Sequence, residues 1–327
     1  MKLFPLMRQK CLLIINPISG TATKRGVAAR CVRRLSREGM DVEVLYTEGK
    51  GDAARFAATA AAKGYLGVLA AGGDGTVNEV ASALRGTGTA LGIIPLGSGN
   101  GLARHLGLST DIGNALDVIA RRNIVACDSC EVDGHPFFCT FGMGFDAAVS
   151  EKFAHSRRRG LINYMRSALT EFLKFQPDEY EIEANGHIFR FKAFIVAACN
   201  ASQYGNNVFI APTASIRDGL FDITIIHADT PITQARAGVE LVTGLIKNNM
   251  IIQTLRAEEA TIRRCRPGIA HVDGEPIRLG DKMHVKCFHG DLLVFTTGNK
   301  SRFKPLLTPL RYLNREIHIH LRSLFKH

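Results

Sequence analysis

Three glycine-rich turns and one pair of closely spaced carboxylates hold the residues best suited to chemistry in this 327-residue chain. Ala71-Gly72-Gly73-Asp74-Gly75-Thr76-Val77-Asn78-Glu79 follows an apolar run, Leu66 to Ala71, and leads into a helix-like run from Val77 to Leu84. Glycines at a strand-to-helix turn let backbone amides close on a phosphate, and the helix N-terminus favours negative charge there. A carboxylate in such a loop repels a bare phosphate, so Asp74 calls for a Mg²⁺ ion between them. Asn16-Pro17-Ile18-Ser19-Gly20 and Pro95-Leu96-Gly97-Ser98-Gly99-Asn100-Gly101 also follow apolar runs. There Asn16, Ser19, Ser98 and Asn100 offer neutral donors to phosphate or ribose. Asn78 and Glu79 read either as caps of the helix after the acidic loop or as nucleotide contacts. Asp273-Gly274-Glu275 sets two carboxylates two residues apart, which on an extended segment face the same side. Asp-Gly is also a strong hairpin signal, and the two readings are compatible.

These residues need elements to hold them. Lys10 to Asn16, Val42 to Tyr46, Leu66 to Ala71 and Leu91 to Ile94 read as buried strands. Between them lie helical runs at Lys24 to Glu38, Asp52 to Lys63 and from Val77. Short apolar strands alternating with helices indicate a parallel sheet with helices on its faces, which binds ligands beyond the carboxyl ends of its strands. The three turns, with Thr47 after the remaining strand, converge on that edge. From about Ile124 the pattern becomes antiparallel, beginning with a hairpin of Ile124 to Val132 and Pro136 to Phe141 around Asp133-Gly134. Further strands are expected at 179–184, 187–197, 220–227, 260–264, 283–288 and 292–296, with helices at Gly160 to Lys174 and Pro231 to Ile246. The fold class is therefore an α/β nucleotide-binding domain over 1–123, then a mainly antiparallel β-sandwich over 124–300. The basic tail at 301–327 follows, and one reading returns it to the first domain.

The 46% hydrophobic and 22% charged content describes a globular chain. No apolar run is long enough for a spanning helix, and the Cys11 to Ile15 run is too short for a signal peptide. The eight cysteines are scattered through apolar runs, which suits reduced core thiols in a cytoplasmic protein. Cys127-Asp128-Ser129-Cys130 is a single C-x-x-C without a second pair and reads as packing. The net charge of +11 favours an anionic partner. The last 27 residues carry six Lys/Arg against Glu316 alone, and Leu310, Leu313, Ile317, Leu321 and Leu324 fall at helical spacing. That tail reads as an interfacial basic helix, or as one packed on its own domain or on a second subunit in a homodimer. Lys152 and Arg157-Arg158-Arg159 form a solvated surface that would also attract anionic head groups. No aromatic-rich basic strand or helix-turn-helix pattern speaks for nucleic acid.

Asn-Pro-Ile-Ser-Gly at 16–20, Gly-Gly-Asp-Gly-Thr-Val-Asn-Glu-Val at 72–80 and Pro-Leu-Gly-Ser-Gly-Asn-Gly-Leu-Ala at 95–103 together resemble the nucleotide motifs of the diacylglycerol kinase/sphingosine kinase superfamily. The resemblance continues through Gly142 to Asp146, Asp218 to Asp222 and Val272 to Pro276. It implies an ATP-binding α/β domain, a β-sandwich domain, an active site between them and transfer of the ATP γ-phosphate to a primary hydroxyl of a lipid. By motif, Asn16, Thr47, Gly72 to Thr76, Glu79 and Ser98 would bind ATP, with Ser19, Gly20 and Asn100 in the same turns. Asp218, the Leu220 carbonyl and Ser215 would hold Mg²⁺, and Asp74 and Asp146 would join that acidic network. The Asp-Gly-Glu element matches the general-base position; Glu275 is favoured as the base, with Asp273 on metal or substrate.

The implied acceptor is a lipid at a membrane surface, diacylglycerol by default and a sphingoid base as the other option. A soluble NAD kinase would account for Gly72 to Thr76, though not for the other two turns together with Asp273-Gly274-Glu275. A non-catalytic lipid-binding regulator on the same scaffold is the rival from a different class.

Overall fold

The computed structural model describes residues 9–19, 26–108, 111–154, 172, 174–205, 208–245 and 250–297. Four parallel strands, β1 (Gln9–Ile15), β2 (Met40–Tyr46), β3 (Gly67–Gly72) and β4 (Ala90–Pro95), lie in the order β2-β1-β3-β4. Alternate residues of β1, β3 and β4 enter two different cores, so these strands are apolar throughout. Helices α2 (Asp52–Ala62) and α3 (Asp74–Leu84) cover one face. Helix α1 (Val27–Ser36) covers the other, together with α5 (Ile112–Ala120), which follows the five-residue α4 (Gly101–His105). Successive connections leave β1 toward opposite sides, to β2 and then to β3, which opens a crevice at their carboxyl ends.

The second half is antiparallel. Its strands are β5 (Ile124–Val132), β6 (His135–Phe137), β7 (Thr140–Gly144), β8 (Asp178–Ala184), β9 (His187–Cys199) and β10 (Phe221–His227), then β11 (Ile252–Ala257), β12 (Glu259–Arg264), β13 (Gly268–Val272), β14 (Glu275–Leu279) and β15 (Lys282–Phe295). The path runs β14-β13-β7-β9-β8-β12-β15, with the β10–β11 pair attached to β9 and the β5–β6 pair to β15. Helix α6 (Phe145–Ala154) follows β7, and α7 (Pro231–Thr243) links β10 to β11. The expected hairpin at Asp133-Gly134 is present: both residues have positive φ, and Val132 pairs with His135.

Several expected elements differ. The strand expected at Pro136 to Phe141 is two strands, because the chain breaks at Phe138 and Cys139 to give its amides to Asp273. The strands expected at 283–288 and 292–296 are one, β15, with a register shift between Phe288 and Leu292. Helix α7 ends at Thr243, where Gly244 takes the left-handed conformation that stops it. Helix α3 begins at Asp74, three residues earlier than expected, because Gly73 is extended and serves as its N-cap. The helix expected at Gly160 to Lys174, Arg157 to Arg159 and the tail at 301–327 lie outside the described residues, apart from Phe172 and Lys174.

The sheet does not stop at the sequence boundary near 123. The end of β15 runs parallel to β4, with Val294 opposite Leu91, and Phe295 is fully buried in the core under α1 and α5. Gly67 leaves room for that ring; a Cβ there would sit 2.5 Å from it. All eight cysteines are free thiols, and only Cys265 is exposed. Cys127 and Cys130 point into different cores, as residues three apart on a strand must, so they form no metal or redox pair.

Candidate active site at the seam of the two halves

The nucleotide edge is built by backbone proximity. Asn16 follows β1, donates its backbone N–H to Ala71 O, and sends Nδ2 to Thr76 Oγ1 at 3.0 Å. Its Oδ1 accepts the Ile18 N–H, and the Ser19 hydroxyl donates to Asn16 O, so this side chain shapes the turn. Thr47, buried at the end of β2, donates its N–H to Ile15 O. Glu79 accepts the Gly51 N–H at 3.0 Å and ties α3 to the start of α2. The expectation that Asn78 and Glu79 cap α3 is therefore corrected: they lie in its second turn and reach sideways. Gly20 lies outside the described residues.

Asp74 joins two of the glycine-rich turns. Its Oδ2 accepts the Asn100 N–H at 2.8 Å and its Oδ1 the Gly101 N–H at 2.7 Å, at the entrance to α4. Gly73 and Gly97 touch along their backbones; a Cβ on Gly97 would lie 2.6 Å from Gly73 Cα. Burial pushes the Asp74 carboxyl up to about 6, against the pull of the two N–H donors, with the Asp273 charge adding to the rise. Asn100 sits at φ 52° and folds its amide onto Gly97, donating to the carbonyl and accepting from the N–H. It is part of the loop scaffold. Exposed Ser98 keeps its hydroxyl free of any partner among the described residues.

The Asp273-Gly274-Glu275 segment is a tight hairpin turn, not an extended run. Asp273 and Gly274 have φ of 49° and 85°, and Val272 pairs with Glu275. The expectation that both carboxylates face one side is corrected, since the turn separates them. Asp273 Oδ1 accepts the Cys139 and Thr140 N–H groups at 2.8 and 2.9 Å; Oδ2 accepts the Phe138 N–H and Asn78 Nδ2 at 3.0 and 2.9 Å. With two donors on each oxygen, this carboxylate pins the hairpin to β7 and α3. Glu275 is exposed instead, with Oε1 3.5 Å from where a Gly75 Cβ would be. A free carboxylate thus hangs over the first turn of α3.

Behind the hairpin, buried Asp146 accepts from the Tyr204 hydroxyl at 2.7 Å and pairs with His271 Nε2 at 3.1 Å through the same oxygen. Asp146 Oδ1 accepts the Ala147 N–H at the start of α6. Tyr204 belongs to a segment that crosses the seam: Gly205 packs on Gly99, and Gly101 on Tyr204 O. A T-shaped and stacked cluster of Phe145, Phe172, Phe175 and Phe194 adjoins it.

The 215–220 loop is held by a residue that motif spacing did not single out. Asp128, fully buried on β5, accepts the Gly219 N–H through Oδ2, and His289 Nδ1 and the Gly290 N–H through Oδ1, each at 2.8 Å. Asp218 is exposed and paired with Arg256. Ser215, Asp218 and the Leu220 carbonyl are oxygen donors within one short loop, which suits a hard cation once the guanidinium moves aside. Asp146 bonds His271, Tyr204 and the start of α6, and Asp74 bonds the entrance to α4, so among the described residues neither carboxylate makes a direct hydrogen bond to the 215–220 loop; the expected link between them runs through a metal or water. Among the described residues no three His, Cys, Asp or Glu side chains converge as a metal-binding group.

Comparison with known proteins bears on this geometry. Residues 10–132 match the diacylglycerol kinase catalytic domain, and 140–294 match the YegS C-terminal NAD kinase beta sandwich-like domain. The chain is 32% identical over 225 residues to the "Probable lipid kinase YegS" of Shigella flexneri serotype 5b and of Escherichia coli O6:K15:H31, covering 67% of this chain and 74% of each relative. A diacylglycerol kinase structure from Bacillus anthracis superposes with a TM-score of 0.72 at 21% identity, over 89% of this chain and 97% of that one. An NAD kinase from Archaeoglobus fulgidus in complex with ATP shares the fold more distantly, with a TM-score of 0.53 at 11% identity over 93% and 99% of the two chains.

Proposed function

Because the chain belongs to the diacylglycerol kinase catalytic-domain family of lipid kinases, we propose that it uses ATP and Mg²⁺ to phosphorylate the primary hydroxyl of a membrane lipid, with diacylglycerol the first acceptor to test. The observation that carries this reading is the division of labour in the hairpin turn. Asp273 is fully engaged by four donors, which fixes the turn and leaves Glu275 as the free carboxylate over α3.

In this reading the ATP phosphates lie against the Gly72 to Thr76 turn and the α3 N-terminus, with Ser98 opposite. Ser215, Asp218 and the Leu220 carbonyl would hold a Mg²⁺ ion, which would supply positive charge to offset that of the phosphates. Glu275 takes the proton of the attacking hydroxyl as its oxygen bonds to the γ-phosphorus and the bond to the ADP oxygen breaks. The phenylalanine cluster beside Asp146 gives acyl chains an apolar surface.

The test is transfer of label from γ-labelled ATP to a lipid panel in mixed micelles, wild type beside Glu275→Gln. Removing a general base lowers kcat by roughly 10²- to 10⁴-fold, and the KM for ATP should stay within about twofold. Label in no lipid, with NADP formed from NAD, would replace this reading with the NAD kinase one.

A further inference from the structure

We infer that α7, with Met250 beside it, is the surface through which this protein docks on an anionic bilayer. This rests on the lipid-kinase reading and names the partner face of that site. Seven large hydrophobic side chains are strongly exposed among the described residues, and four of them, Ile232, Val239, Leu245 and Met250, fall between positions 232 and 250. Ile232 and Val239 are seven apart on α7 and so share one face; they are 81% and 63% exposed. Met250 is fully exposed. It precedes Ile251, whose carbonyl accepts the His227 N–H, just ahead of the Thr230 cap of α7, so Met250 and Ile232 lie at the same end of the β10–β11 pair.

The opposite face of α7 is built for another task. Ala237 and Leu241 are buried there, in one cluster with Phe194, Phe145, Phe172 and Phe175. The helix thus roofs the apolar surface assigned to acyl chains while turning a second apolar stripe outward. A helix with one face on a lipid site and the other bare is placed where a chain can pass from bilayer to site without crossing water. Charge supports the same occupant. Lys192 is exposed and its carbonyl accepts the Ala228 N–H just ahead of α7, and Arg236 lies 72% exposed between Ile232 and Val239, so two cations flank the stripe beside exposed Asp229 and the half-buried Glu240 that pairs with Arg236. Cations at the rim of an apolar stripe suit anionic head groups. A second copy of the chain is a poorer fit, because four aliphatic side chains fall short of the roughly 800 Å² per partner of a standard interface.

The experiment is cosedimentation of the full chain with phosphatidylglycerol/phosphatidylcholine vesicles, comparing wild type with the Ile232→Ser, Val239→Ser, Met250→Ser triple variant. Thermal melting and sedimentation equilibrium accompany it. The expected result is at least a tenfold weaker vesicle partition with an unchanged melting temperature and a monomer in both proteins. Vesicle binding needs no turnover, so this result stands apart from failure of the kinase assay. Unaltered partition in a folded variant overturns the inference, as does a wild-type dimer that the three substitutions dissociate. Should the triple variant unfold, Ile232→Ser alone is read against the same criterion.

Discussion

At the scale of single residues, two carboxylates of one turn behave differently because one is saturated with donors. Asp273→Asn replaces acceptor capacity with an NH₂ group facing backbone N–H groups, leaving some of them unpaired in a buried setting. A loss of about 1–3 kcal/mol in denaturant unfolding is expected, with ATP affinity changed far less than in a glycine-turn variant. Glu275→Gln should do the reverse, leaving stability intact and removing turnover. His105 gives a pH prediction. Its Nδ1 accepts the Ser202 N–H, and burial pulls its pKa from 6.5 down to about 4. Between those values the unfolded chain binds more protons than the folded one, so the stability from His105 is present above pH 6.5 and lost as pH falls toward 4. Asp74 and Asp222, both raised from 3.8 to about 6 by burial, act oppositely, losing stability as pH rises across that range. The stability advantage of wild type over His105→Gln in unfolding free energy should therefore shrink as pH falls from 6.5 toward 4; parallel curves would refute the assignment.

At the scale of elements, close approach of loops decides the site. The turns after β3 and β4 touch at Gly73 and Gly97, where a Cβ would come within 2.6 Å of main chain. Gly97→Ala must push the turns apart and misplace Asp74 from the Asn100 and Gly101 amides. We expect at least a tenfold rise in the KM for ATP, with a fold intact by circular dichroism. Asp128 does the same work for the 215–220 loop proposed to hold Mg²⁺, fixing Gly219 to the irregular point of β15. In Asp128→Asn the Mg²⁺ concentration for half-maximal activity should rise several-fold, measured at saturating ATP. An unchanged Mg²⁺ titration would mean that the 215–220 loop holds its shape without this anchor.

At the scale of the whole molecule, the halves share a sheet. Phe295 is the last residue of β15, and its ring is buried under α1 and α5, far in sequence from those helices. Phe295→Ala should cost about 3–5 kcal/mol, read by chemical denaturation. A fragment ending at residue 123 leaves the Gly67 and Leu91 side of its sheet uncovered. It should show fast amide exchange and no cooperative melt, whereas the full chain melts as one. No helix among the described residues is long and apolar enough to cross a membrane.

The sequence by itself determined the alternation of the first half, the glycine turns at strand ends, the hairpin at Asp133, and the family. Each of these is local, set by apolar periodicity, by glycine and aspartate in turns, or by contiguous motifs. Only the tertiary structure decided which carboxylates are free. The four donors on Asp273 come from residues 78 and 138–140, the partners of Asp146 from 204 and 271, and those of Asp128 from 219, 289 and 290. Nothing in the spacing of a motif records such partners. The return of β15 to β4 was likewise beyond reach, because an apolar strand end reads the same whichever sheet it joins. Hydrogen-bond saturation and strand pairing arise between distant segments, and folding alone brings those segments together.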